Sequence, residues 1–261
     1  MHPHHQAAVE HVTELLRAEP EVHALLLGGS IAHGFERPDS DVDLLIVVSD
    51  AEHAAREREG RVHYWTDEGC GWSGGYAEGK YVSLAFLDQV AQRGSEPARF
   101  AFQDARVLFS RVGDLGERLA AITRYPVEEK VARIRRFRAQ FEAWHWYAHE
   151  ALKQGDRYLL GAAVARTLLF AARMLLAHNE RLYPYHKWVM RVLGSVPDRP
   201  GDLFERIAAV HVEPSQASLL GLWACITNFR VWEGSDTPWN VQFMRDSELG
   251  WLEGPVSVED L

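Results

Sequence analysis

Apolar residues recur along this chain at two different periods, and the change from one to the other divides it. Over residues 7–18, Val9, Val12, Leu15 and Leu16 fall on one helical stripe that Pro20 ends. Two short apolar runs follow, Val22 to Leu27 and Val42 to Val48, and each reads as a buried strand. The first ends in Gly28-Gly29-Ser30, and the second is introduced by Pro38-Asp39-Ser40-Asp41. A helical stretch from Ala51 to Glu59 leads to a third strand around Val62 to Thr66. The glycines at 69, 71, 74, 75 and 79 read as a loop, and Tyr81 to Phe86 as a fourth strand. Strands alternating with helices up to about residue 112 predict a mixed α/β half.

From Pro126 onward the helical period takes over. Val131, Ile134, Phe137, Phe141 and Trp144 recur at spacings of three and four, as do Val164, Leu168, Ala171, Ala172 and Leu175. Gly155, the Pro184 region, Pro197 to Gly201 and Pro214 cut the remainder into about five helices. The change of pattern lies near residues 111–126, which predicts domains over 1–115 and 116–261, with no internal repeat.

Charge and composition narrow the possible partners. The 37 acids against 28 bases give a net charge of -9, which argues against a broad basic surface tracking nucleic acid but leaves room for a local basic pocket. Cys70 and Cys225 stand at no metal-like spacing, so neither a disulfide framework nor a zinc site is expected, and a cytoplasmic location is. No apolar run suggests a membrane span, and the start MHPHHQ lacks the features of a signal peptide, so His2, His4 and His5 read as a frayed end.

Chemistry concentrates between residues 27 and 45. A glycine pair closing a strand lets the backbone approach a ligand, and Ser30 at the start of a helix adds a hydroxyl beside N–H groups suited to a phosphate. Asp41 and Asp43, two apart on a strand, project from one face with Cα atoms about 7 Å apart. Such a pair can share magnesium ions with substrate phosphate, as phosphoryl transfer requires. Each element alone has a plain reading as well, a loop or turn chemistry with solvated acids.

Together, Gly-Ser closing one strand and Asp-Val-Asp-Leu opening the next resemble the nucleotidyltransferase superfamily, which includes DNA polymerase β and the aminoglycoside and lincosamide nucleotidyltransferases. The resemblance covers roughly the first 110 residues. It implies an α+β architecture, a polymerase-β-like mixed sheet with helices followed by an all-α helical bundle, the nucleotide lying in the cleft between the two. It implies ATP or another nucleoside triphosphate as substrate, two Mg2+ ions on Asp41 and Asp43, and Gly28, Gly29, Ser30 and Ser40 as nucleotide-binding positions. Transfer of the nucleoside monophosphate to an acceptor would then release pyrophosphate. An aminoglycoside-like acceptor follows by analogy, since a polycationic sugar suits an acidic protein.

The family adds a third carboxylate from a later strand, which binds metal or accepts the acceptor's proton. The stretch from Lys80 to Phe86 contains no acid, and Ser83 stands where an aspartate is expected. Asp88, the catalytic candidate, and Glu78 and Glu96 are the alternatives, and each also reads as an ordinary helix, loop or capping acid. A protein without that third acid would be a nucleotide-binding regulatory or antitoxin-like protein with little turnover.

The helical half adds fainter signals. Tyr183-Pro184-Tyr185-His186-Lys187-Trp188 resembles a Tyr-Pro-x-x-Lys-Trp pattern in small-molecule nucleotidyltransferases, where the lysine faces the triphosphate. Lys187 is one of four lysines in the chain, and Lys80 is a weaker phosphate candidate. Arg173 and His178 match the Arg-x4–6-His spacing of HEPN ribonucleases, but such a spacing is frequent by chance in an Arg-rich helix, and salt bridges and helix packing are the favoured reading. Arg133, Arg135, Arg136 and Arg138 read as a solvated helix face. The run Trp144 to His149 reads as core plus rim, or as the wall of an acceptor pocket.

Overall fold

Val22–Leu27 and Val42–Val48 are apolar at nearly every position, the pattern of strands covered on both faces. The computed structural model, which describes residues 1–233, 236–252 and 254, shows the two layers that cover them. The chain divides into two compact units, Met1–Arg124 and Tyr125–Leu261. This division falls later than position 115, because the helix Leu115–Thr123 packs into the first unit's core.

In the first unit, α1 (Pro3–Ala18), β1 (Val22–Leu27), the single-turn α2 (Gly29–Ala32), β2 (Val42–Val48) and α3 (Asp50–Arg58) precede β3 (His63–Thr66) and β4 (Ala77–Ser83). Then come α4 (Leu84–Arg93), α5 (Glu96–Phe100), β5 (Arg106–Ser110) and α6 (Leu115–Thr123). The five strands form one mixed sheet in the order β3-β4-β2-β1-β5, with β2 and β4 parallel and the other pairs antiparallel. On one face Val9, Val12 and Leu16 of α1 pack against Leu25, Leu44 and Ile46. On the other, Leu26, Val47 and Val82 meet Leu87 and Val90 of α4 and Ile122 of α6. At about 25 cal/mol per Å² of apolar surface, this two-sided burial dominates the unit's stability.

Two expectations change here. The fourth strand runs over Ala77–Ser83 rather than 81–86, and α4 begins at Leu84 because the Ser83 hydroxyl accepts the Phe86 N–H at 3.1 Å as its N-cap. Gly79 belongs to that strand, not to a loop. A Cβ at this position would lie 2.9 Å from both Cβ and the carbonyl oxygen of Leu44, so glycine is what lets β4 close on β2. Nor are the N-terminal histidines frayed. Pro3 occupies the first turn of α1, the terminal ammonium lies 2.9 Å from Glu36, and His4 Nε2 donates to the Pro38 carbonyl at 2.8 Å. His5 is wholly buried, its ring edge-on to those of His4 and Trp72.

The second unit comprises α7 (Lys130–Gln154), α8 (Arg157–His178), α9 (Val189–Ser195), α10 (Leu203–Val212), α11 (Gln216–Thr227) and α12 (Trp239–Phe243), followed by a π turn, Met244–Glu248. Gly155 ends α7 in the left-handed conformation at φ 68°, and the Asp156 carboxylate caps α8 by accepting the Leu159 N–H at 2.9 Å. Val164, Leu168, Ala171, Ala172 and Leu175 are all buried, as their spacing predicts. Contrary to the reading of the sequence, α8 is long and apolar enough by length and composition to cross a membrane. Half of its apolar window is buried inside the protein, where the helix packs along α7.

The buried histidines give stability a defined pH dependence. Burial, then the neighbouring His4, pushes the His5 imidazole below its ordinary 6.5. Burial, then His149, pushes His145 down to about 4. Both rings therefore stay neutral in the folded protein at pH values where the unfolded chain takes up protons. Their stabilisation is complete above pH 6.5 and falls as the pH drops from there toward 4. Urea-unfolding midpoints should decline over that window, and His5→Leu and His145→Leu should each flatten the decline. An unchanged slope in both variants would remove these two imidazoles as its source.

Candidate active site

The site is assembled by strand register. Parallel pairing of β2 with β4 sets Asp43 opposite Glu78, and antiparallel pairing of β4 with β3 sets Glu78 opposite Trp65. Residues directly opposite across neighbouring strands share a face, so Asp43, Glu78 and Trp65 form a row across the sheet. Asp41, two residues before Asp43, joins the same cluster. One ligand oxygen from each of Asp41, Asp43 and Glu78 lies within 4.8 Å of the others, and all three residues are half-buried. Three carboxylates at such distances repel one another, and their hard oxygen donors suit a divalent cation such as Mg2+.

The turn after β1 closes against this cluster. Gly29 has φ +59°, and a Cβ there would fall onto the Asp43 carboxylate, so the glycine is required both by its conformation and by the space Asp43 takes. Ser30 is 5% exposed, and its hydroxyl is a buried polar atom without a hydrogen-bond partner among the described residues. Such a group calls for a polar ligand. Gly28 plays a different part, since its N–H donates to the Asp43 carbonyl at 2.9 Å and extends the pairing of β1 with β2. The Ser40 hydroxyl accepts the Arg37 N–H at 2.9 Å and so shapes the turn that delivers Asp41.

Neighbouring side chains set the cluster's surroundings. The Tyr76 hydroxyl donates to Asp41 Oδ2 at 3.1 Å, and the charge of Asp41, together with that bond, raises the Tyr76 pKa. The Tyr76 ring stacks on Trp65, which is 55% exposed at the sheet edge, with centroids 6.2 Å apart. His63 Nε2 lies 3.3 Å from a Glu78 carboxylate oxygen. Lys80 is exposed and stands two residues beyond Glu78 on the same strand face.

The other acids expected as the third carboxylate lie elsewhere. Asp88, on α4, forms an ion pair with Arg118 of α6, which also binds Asp114 at 3.0 Å. Glu96 is buried in the first turn of α5. Ser83, 6% exposed, sits opposite Val48 at the far end of β4 and caps α4, so it does not stand in for a catalytic acid. The third carboxylate of the cluster is Glu78. Strand alternation could have found it, because Glu78, Lys80 and Val82 lie on one face once Gly79 is counted as strand.

Within the second unit the Lys187 ammonium is 5.0 Å from the Trp188 ring centroid. Arg173 lies between the rings of Phe137 and Tyr183, at 4.2 and 4.3 Å, and His178 contacts Asp198 at 2.5 Å as well as Arg230. The Arg173 and His178 contacts are packing and polar pairing on the last turns of α8, and that of Lys187 lies just before α9. Cys70 and Cys225 are free thiols.

Residues 9–83 match the family model of the nucleotidyltransferase domain, and all three clustered carboxylates lie within that segment. Residues 95–189 match a domain of unknown function, DUF4037. No curated protein matches the chain. Among solved structures, a nucleotidyltransferase-like protein from Exiguobacterium sibiricum aligns over 98% of this chain and 83% of its own, at 14% identity and a TM-score of 0.46.

Replacing Gly29 tests the dependence of the carboxylates on the turn. Gly29→Ala combines a strained φ, costing about 1 kcal/mol, with displacement of the Asp43 carboxylate. Gly60→Ala, at φ +68° with open space around its Cβ, carries the strain alone. Calorimetric titration with Mg2+ should show affinity lowered by about tenfold or more in the first variant and unchanged in the second, while both lose stability. Equal Mg2+ affinity in the two would show that the turn does not position Asp43.

Proposed function

We propose that the first unit transfers a nucleoside monophosphate from ATP or another nucleoside triphosphate to a hydroxyl of a small-molecule acceptor, releasing pyrophosphate. The observation that carries this reading is the convergence of Asp41, Asp43 and Glu78 beside the Gly29-Ser30 turn, inside the segment that matches the nucleotidyltransferase domain. The three carboxylates fit a divalent metal, and Mg2+ bound there would neutralise the phosphate oxygens during transfer.

Each residue then has a role set by its place. Ser30 offers its buried hydroxyl to the β/γ-phosphates, and Gly29 keeps the backbone close enough for them to approach. Asp41 and Asp43 hold metal, with Tyr76 fixing the orientation of the Asp41 carboxylate. Glu78 accepts the acceptor hydroxyl's proton on a carboxylate oxygen, or shares in metal binding. For the acceptor, the net charge of -9 favours a cationic molecule of the aminoglycoside kind. A regulatory, low-turnover role drew its support from a missing third acid, and Glu78 supplies that acid.

Pyrophosphate release from MgATP, followed across a panel of hydroxyl-bearing acceptors, tests the reading. Asp43→Asn and Glu78→Gln should each lower the rate by about 10²-fold or more, with melting temperatures not lowered. Asp88→Asn should leave the rate as it is, and Ser83→Asp should give no gain and cost the α4 cap. Full activity in Glu78→Gln, or its loss in Asp88→Asn, would assign the third acid elsewhere. Nucleotide binding with no pyrophosphate release for any acceptor would favour the regulatory role.

A further inference from the structure

The sheet face that carries the carboxylates also carries an aromatic ring that nucleotidyl transfer by itself does not require. Alternation along β3 turns Tyr64 toward the α1 layer and turns His63 and Trp65 toward the opposite face, where Asp43 and Glu78 stand. On that face α4 and α6 cover Leu26, Val47 and Val82. The β3 end is open, and His63, Trp65 and Lys80 are exposed. Trp65 is 55% exposed, and the Tyr76 ring stacks on it with centroids 6.2 Å apart. Because the Tyr76 hydroxyl is bonded to Asp41, the indole is tied through one side chain to the carboxylate cluster.

Strand order puts this ring on a definite side of the reaction. In the order β3-β4-β2-β1, the Gly29-Ser30 turn after β1 lies on one flank of Asp43, and Glu78 and then Trp65 lie on the other. Neighbouring strands are about 4.8 Å apart, so Trp65 stands one strand from Glu78 and about 10 Å, backbone to backbone, from Asp43. In an in-line displacement the attacking and leaving oxygens take opposite sides of the α-phosphorus. With the β/γ-phosphates at Ser30, pyrophosphate departs on the β1 flank and the acceptor hydroxyl attacks from the β4 flank. Its oxygen bonds to the α-phosphorus as the bond to the pyrophosphate oxygen breaks, and its proton passes to Glu78. The atoms next to that hydroxyl then lie against Trp65.

The flank also selects the chemistry of those atoms. An indole face attracts a cation through the quadrupole of the ring, and the carboxylates one and two strands away attract the same sign. His63 and Lys80 stand opposite each other two residues along from Trp65 and Glu78, on the side away from Asp41, which leaves the Asp41 end of the row to a ligand. His63 lies 3.3 Å from one Glu78 oxygen, and a carboxylate has a second. We infer that Trp65 is a specificity-determining residue that seats a protonated amine, and that the acceptor is an amino alcohol with its ammonium on the indole and its hydroxyl at Glu78. An ammonium two or three carbons from the hydroxyl matches the roughly 5 Å between side chains directly opposite on neighbouring strands. The placing of the hydroxyl rests on the transfer reading given above, whereas the ammonium seat is read by binding alone, so either can fail without the other.

The probe is choline, with 3,3-dimethyl-1-butanol as its uncharged isostere, titrated by ligand-observed NMR into the full-length protein with Mg2+ present. Choline should bind saturably and about fivefold or more tighter than the isostere. Trp65→Leu should remove that preference, and Trp65→Phe, which keeps a ring, should retain part of it. Trp146→Leu, at a tryptophan 50% exposed on α7, should leave it whole. In turnover, Trp65→Leu should raise KM for amino alcohols with little change in kcat. The wild-type comparison and Trp65→Phe carry the test if Trp65→Leu does not fold. The binding preference without pyrophosphate release for any acceptor would uphold the ammonium seat and remove the transfer. Release with uncharged alcohols as readily as with amino alcohols, equal binding of choline and its isostere, or an undiminished preference in a folded Trp65→Leu variant would overturn the proposal.

Discussion

The carboxylate cluster depends on how closely β4 approaches β2. Their parallel pairing sets Asp43 beside Glu78, and it is possible because residue 79 has no side chain to strike Leu44. A second glycine, Gly29, does the same on the other flank by leaving its Cβ position to the Asp43 carboxylate. Asp43 is held between two backbone approaches that only glycine allows. Either contact, loosened, would let the like-charged carboxylates drift apart, since at about 4 Å their repulsion is roughly 1–4 kcal/mol between water and a protein surface.

That constraint also explains what could be read in advance. Gly29, Ser30, Asp41 and Asp43 are close in sequence, and their types and spacing are local facts, so the two strands and the turn between them were legible from residues 22–48. Glu78 was legible as an acid but not as a partner. Five glycines between 69 and 79 read as one loop, and only the contact of Gly79 with a strand more than thirty residues earlier shows that the last of them is sheet. The local pattern likewise carries the fourth strand toward Phe86 and sets Ser83 in the place of an acid, although its hydroxyl belongs to a helix cap. A local period cannot report a long-range approach.

In the second unit the limit was of another kind. The helical period of α7 and α8 was plain, and the stripe Val164 to Leu175 was placed in the core. The surroundings of the arginines were not, because Arg133 and Arg136 line a cleft that α8 and the π turn, the latter more than a hundred residues later, help to close. A charge run on a single helix looks solvated until its neighbours are known. Val131 illustrates the converse, since its spacing placed it on the apolar stripe and it is 48% exposed near the start of α7.

The two units put charge to opposite uses. In the first, three acids are gathered at the sheet, with the Tyr76 hydroxyl on Asp41 and the His63 ring beside Glu78. Like charges brought together by the sheet register repel one another, and a divalent cation bound among them would relieve that repulsion. In the second, guanidiniums are laid on aromatic faces, Arg166 over Trp144 and Arg173 over Phe137. Sequence-wide charge, at -9, describes neither place. What each surface can bind is set by which few charges the fold brings within about 5 Å of one another, because beyond a screening length of about 8 Å the rest contribute little.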